Sequence, residues 1–222
     1  MRLVIFDVDG TLVDSQSQIH AAMMRAFSSV GLEAPALPQV RAIVGLSLEV
    51  AMARLAPDHP AETHARLAQG YRTAYYEARV AGGAASGAPL FPGAREALLA
   101  LNAQPETLLA VATGKARRGL DAVIEAHDLH GLFVSRQTAD TNPSKPHPAM
   151  VEACLSETGI DAAAAVMVGD TSFDMDMARA AGAAALGVTW GYHAPESLGA
   201  DRLVESFAAL PAAIDALLGV PA

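Results

Sequence analysis

Two carboxylates, Asp7 and Asp9, stand one residue apart where the apolar run Leu3–Phe6 ends, and Gly10 and Thr11 follow at once. Far along the chain comes Thr113-Gly114-Lys115, then Lys145 between two prolines, then Asp170 and Asp174 within Gly169-Asp170-Thr171-Ser172-Phe173-Asp174. Carboxylates gathered in one place repel one another. A hard cation relieves that repulsion, and an all-oxygen donor set of this kind suits Mg²⁺. With a cation and Lys145 present, the local potential inverts from negative to positive, so the place could hold a phosphate. An aspartate fixed there is also a competent nucleophile.

Each residue alone admits a plainer use. Asp7 and Asp9 could form a turn after a strand. Thr113 or Asp170 could cap a helix, and Lys145 could be a surface lysine. Lys115 and Arg117 read first as the first turn of a helix facing solvent, with a substrate role as the lesser alternative, and His147 as an early helix residue. Tyr71 and Tyr75 have helical spacing and read first as packing. Trp190, Tyr192 and His193 follow the last full strand with no chemistry attached.

The elements that would carry these residues alternate in a regular way. Leu3–Phe6 reads as a short buried strand. From Ser15 to about residue 80 the pattern is helical, with apolar residues at Ile19, Met23, Phe27, then Leu48, Met52, Leu55, then Leu67, Tyr71, Tyr75. A loop, PALPQVRAIVGLS, interrupts it, and a Gly/Ala/Pro-rich stretch at 81–94 reads as a linker. Strands are then expected at 108–113, 132–135, 164–170 and 184–190, each followed or preceded by a helix. That alternation predicts an α/β fold, a Rossmann-like doubly wound parallel sheet with helices on both faces. The first strand belongs to it, so an all-helical cap is inserted after that strand. The expected division is 1–14 and 85–222 for the α/β core and 15–84 for the helical cap. In parallel α/β sheets ligands bind at the carboxyl ends of the strands. Asp7, Asp9, Thr113, Lys145, Asp170 and Asp174 all fall there.

Composition narrows the classes. The formal net charge of −9 argues against broad nucleic-acid binding. Cys154 is the one cysteine, which excludes an internal disulfide, and its helical setting suggests a buried thiol. No apolar run has the length of a signal peptide or a membrane helix, so no membrane partner and a cytoplasmic location are expected. Nothing in the chain sets an oligomeric state.

The four clusters together resemble the haloacid dehalogenase superfamily, in its phosphoglycolate phosphatase and β-phosphoglucomutase-like branch. Asp7-Val8-Asp9-Gly10-Thr11-Leu12 matches the first motif, Thr113 the second, Lys145 the third, and Gly169 to Asp174 the fourth. The resemblance covers the whole chain. It implies a hydrolase of small phosphorylated metabolites, phosphoglycolate first among them, with Asp7 as nucleophile forming an aspartyl-phosphate and Asp9 as acid and base. It further implies Mg²⁺ held by Asp7, the Asp9 main-chain carbonyl and Asp170. Phosphoryl oxygens would be held by Thr113, the Gly114 amide and Lys145, and Asp174 would orient the metal shell or Lys145. Residues near 14–17 and 81–89 are the expected hinges of the cap, which is expected to leave limited room beneath it. A phosphomutase on the same core is the first alternative. Val44 stands where sugar mutases usually carry a lysine, which favours hydrolysis. A silent phosphate-binding regulatory protein is the second alternative.

Overall fold

The computed structural model describes residues 1–82 and 88–219. Six strands form one all-parallel sheet: β1 (Arg2–Phe6), β2 (Thr107–Thr113), β3 (Phe133–Thr138), β4 (Ala165–Gly169), β5 (Ala184–Val188) and β6 (Arg202–Val204). Their spatial order is β3-β2-β1-β4-β5-β6. The chain therefore winds outward from β1 in one direction and later in the other. The crevice at such a reversal is where doubly wound sheets bind ligands.

The side-chain period of two explains why β1 is apolar throughout. Val4 and Phe6 pack into one cluster, with Leu98, Leu120 and Ile214. Leu3 and Ile5 face the other way, with Val151, Cys154 and Met175. The first face is covered by α5 (Ala94–Asn102), α6 (Arg117–Ala126) and α10 (Leu210–Leu217), the second by α7 (Ala149–Thr158) and α8 (Ser172–Ala180). A short α9 (Pro195–Leu198) precedes β6. A strand buried on both faces cannot alternate apolar with polar. Cys154 is buried as expected, and burial pushes its thiol up to about 12.

Between β1 and β2 lie α1 (Gln16–Ser29), α2 (Leu37–Arg41), α3 (Leu48–Leu55) and α4 (Ala61–Gly82). They share a separate apolar cluster containing Met23, Met52 and Leu67. Two expectations need correction. The segment expected to be a loop contains α2, which starts after Ala36 with Pro38 in its first turn and the Gln39 side chain accepting from the Ala36 amide at 2.8 Å. Proline there has no intrahelical donor to lose, which is why the helix tolerates it. The third strand runs on to Thr138, beyond the apolar LFVS that marks it. β3 is an edge strand, so Arg136 and Gln137 can turn towards solvent or side-chain partners without breaking the ladder.

The stretch expected to be a linker starts inside α4, which continues through Gly82. Gly83–Gly87, part of the second expected hinge, lie outside the described residues. Beyond them Leu90 bridges Val13, and the Phe91 amide donates to the Leu12 carbonyl at 2.9 Å. The two chain crossings between sheet and helices thus run side by side. Among the described residues no helix is long and apolar enough to cross a membrane.

Candidate active site

Strand register brings the distant motifs together. Phe6 pairs with Val111 of β2 on one side and with Val168 of β4 on the other. Asp7, the next residue, is thus flanked by the ends of β2 and β4, where Thr113 and Asp170 stand. Asp7, Asp170 and Asp174 are buried, and each offers a carboxylate oxygen within 4.8 Å of the others.

Local structure dictates where each acid points. Thr171 is the N-cap of α8, and its hydroxyl and amide reach Asp174 Oδ2 at 2.7 and 3.0 Å. Helix capping therefore aims Asp174, and its Oδ1 accepts from Lys145 Nζ at 2.6 Å. Asp170 accepts from the Thr11 hydroxyl at 2.8 Å and from the Tyr192 amide at 2.9 Å. Two glycines make room for it. A Cβ on Gly10, whose φ is +90°, or on Gly191 would collide with the Asp170 carboxylate. Gly10 thus serves both a left-handed turn and a close approach.

Asp7 differs from its neighbours. Lys145 Nζ lies 2.8 Å from its Oδ1 as an ion contact, yet neither Asp7 oxygen has a hydrogen bond of good geometry. Burial pushes its carboxyl up to about 6, Lys145 pulling it down and Asp174 pushing it up. Asp170 is also held well above the usual carboxylate range, by burial first and by Asp7 and Asp174 next. Buried anions at this density want a cation beyond Lys145. An orphaned buried carboxylate beside Asp170 fits a hard divalent ion. Asp174 is already bonded on both oxygens, to Lys145 on one and to Thr171 on the other.

A cavity of about 880 Å³ opens above this floor. Asp7, Asp9, Thr113, Gly114 and Lys115 line it; Lys145, Asp170 and Asp174 are buried and are not part of its lining. The cavity is open to solvent on one side, so this is the volume of a cleft between the helices and the sheet. Lys145 is sealed between Asp7 and Asp174, so the ammonium group that faces the cavity here is that of Lys115.

Lys115 reads first as a solvent-facing residue of a helix start, with a role at the site as the lesser alternative, and the structure places it at the site. Its Nζ meets both Asp9 oxygens, at 2.8 and 3.0 Å, and donates to Tyr75 Oη at 3.2 Å. Tyr75 in turn donates to Gln18 at 3.2 Å. A Cβ on Gly119, one helical turn on, would lie 2.9 Å from Lys115 Cγ. The lysine stem uses that gap. A K-x-x-x-G spacing at a helix start was the available signal. Tyr192 was missed, because its contribution to Asp170 is a main-chain amide, which no residue type announces. Thr113 does not cap α6, whose N-cap is Ala116; its Oγ1 accepts from the Lys115 amide at 3.2 Å. His193 bonds the Ser172 amide at 3.3 Å at the start of α8.

Comparison with known proteins agrees with this geometry. The haloacid dehalogenase-like hydrolase family matches residues 4–188. The chain belongs to that family. It is 39% identical to a Dickeya dadantii protein named "Probable phosphatase IndB", over 97% of this chain and 94% of that one. It is 32% identical to a phosphoglycolate phosphatase of Vibrio cholerae, over 89% and 88%. Among solved structures, a haloacid dehalogenase-like hydrolase of Streptococcus pneumoniae superposes with a TM-score of 0.81, at 27% identity, over 96% and 98%. The chain is thus a hydrolase with the α/β fold of its family.

Proposed function

We propose that this protein is a Mg²⁺-dependent phosphatase of a small phosphorylated metabolite, acting through an aspartyl-phosphate. The observation that carries the reading is Asp7, which lies at the cavity floor with both oxygens free of hydrogen bonds. An Asp7 oxygen attacks phosphorus, and the ester P–O bond breaks. The departing oxygen takes a proton from Asp9. Asp9 then takes a proton from water, whose oxygen attacks phosphorus and releases Asp7. Phosphoryl transfer asks mainly for such positioning and for charge neutralisation.

Asp7, Asp170 and the Asp9 main-chain carbonyl would hold the ion, which when bound neutralises phosphoryl oxygens and keeps Asp7 ionised. Thr113 and the Gly114 amide hold phosphoryl oxygens. Lys145 fixes Asp7, with Asp174 behind it, and adds positive charge below the phosphate. Lys115 holds Asp9 on the side of the departing oxygen. Residues 15–84 act as the cap over a core of 1–14 and 85–222. Phosphoglycolate is the reference substrate, because relatives of similar length carry its name. A mutase would need a cap cation for a second phosphate. Arg41 donates to Gln16 at 2.6 Å and does not line the cavity, whereas Arg72, paired with Glu49, and Arg79 do; what favours water as acceptor is Val44, uncharged, beside Gly45 in the cap loop.

The test is phosphate release from a panel of esters, with and without Mg²⁺, for wild type and Asp7→Asn. Metal-dependent turnover, reduced about 10⁴-fold or more in the variant, is the expected result for loss of a nucleophile. Silence across the panel would leave a phosphate-binding protein without catalysis.

A further inference from the structure

We infer that the leaving group is a ring-bearing alcohol far larger than glycolate, lodged between α4 and α6. This rests on the phosphatase reading above and concerns the room above Asp7.

The cavity, about 880 Å³, lies near the upper end of the 300–1,000 Å³ that sites for drug-sized ligands occupy. A two-carbon acid would leave most of it to water, whereas a cap exists to exclude water. The volume does not come from a raised cap, because the cap is seated. Gly114 has no Cβ, and one there would collide with the Gly45 carbonyl of the cap loop. The Ser47 amide donates to Ser144 Oγ across the seam at 2.8 Å. Lys115 reaches Tyr75 from the other side. Main chain already meets main chain at Gly114, so the roof cannot descend there to shrink the space.

The walls suit a ring. Tyr71 and Tyr75 stack at 5.7 Å on the α4 side, and Ala122 of α6 also lines the cavity. Further lining comes from Ile19 and Met23. Arg72, another lining cation, is already paired with Glu49. Tyr76 also lines the cavity, with Arg118 4.5 Å from its ring and Arg79 5.6 Å away. Both arginines line the cavity themselves. One comes from α4 and one from α6, so both can donate to oxygens of a bound body that spans the two. Apolar faces in the middle and donors at the rim match a ring carrying hydrogen-bond acceptors away from its phosphate.

The experiment compares kcat/KM for phosphoglycolate, a hexose 6-phosphate and a nucleoside 5′-monophosphate, in wild type, Ala122→Phe and Arg118→Gln. At least one ring-bearing ester should exceed phosphoglycolate by about tenfold or more, the discrimination a pocket of this kind supplies. The ratio of ring ester to phosphoglycolate should fall about tenfold in Ala122→Phe, which fills the gap, and several-fold in Arg118→Gln. Arg118 is exposed, so Arg118→Gln folds even if the larger side chain of Ala122→Phe is poorly accommodated. Phosphoglycolate turned over as well as any ring ester, or a ratio unmoved in both variants, overturns this inference and leaves the phosphatase reading intact. Silence on every ester overturns both.

Discussion

Lys145 and Lys115 are both ammonium groups held by motif carboxylates, yet they sit in different parts of the molecule. Lys145 is wholly buried in the sheet-side floor, between Asp7 and Asp174. Lys115 joins Asp9 of the core to Tyr75 of the helical roof, with its side chain 9% exposed. Burial works against both charges, and in each case the neighbouring carboxylates outweigh it and hold the ammonium above its usual range. The first lysine touches only groups that cannot move apart without unfolding the core. The second is held partly by Tyr75, on a helix of the insertion between β1 and β2. One lysine joins acids within the sheet domain; the other joins the sheet domain to the helical insertion.

That contrast can be broken at its strongest point first. Lys145→Met should remove about 3–5 kcal/mol of stability, since it leaves buried carboxylates without their cation. Chemical denaturation of the metal-free protein measures it, and a loss under about 1 kcal/mol would mean the acids are neutral or hydrated there. Mg²⁺ should raise the melting temperature of the wild type, by the equivalent of about 2.7 kcal/mol when present at about a hundred times its dissociation constant. Asp170→Asn should abolish most of that rise. An equal rise in the variant would move the ion elsewhere.

The roof side predicts a split between folding and function. Gly119→Ala should leave stability equal or up to about 1 kcal/mol higher, because alanine is the better helix residue. The new Cβ would push the Lys115 stem, so kcat should fall about tenfold, the scale of one displaced charge-assisted hydrogen bond. A stabler protein with undiminished kcat would remove Lys115 from catalysis. Cys154 is the smallest effect expected. With its thiol pushed to about 12 and buried against the sheet, alkylating reagents at about pH 8 should label the folded protein far more slowly than the unfolded chain and leave activity intact. Rapid labelling would show that the layer beneath the floor opens.

The sheet was legible because its strands are buried on both faces and read as unbroken apolar runs, as in Leu3–Phe6 and Ala165–Val168. Where that condition fails, the reading stops early. β3 lies at an edge, so its last residues are polar and its end was placed three residues short. α2 was missed because five residues hold too little period to show. The carboxylates and Lys145 could be named from type and position, since the ends of parallel strands converge. Lys115 could not. Its role depends on a gap at Gly119 and on a tyrosine forty residues earlier, and neither acts through local sequence.

By itself, then, the chain's order of apolar runs determined a parallel α/β sheet, a helical insertion after β1 and the residues that meet at the strand ends. Those follow from periodicity and connectivity, which are properties of neighbours in the chain. Only the tertiary structure decided that Lys145 is sealed beneath Asp7 while Lys115 faces the cavity. It alone decided that the Tyr192 amide and two glycines frame Asp170, and that about 880 Å³ remain under a seated cap. These depend on how far separate elements approach one another, and that distance is set by packing across the whole fold.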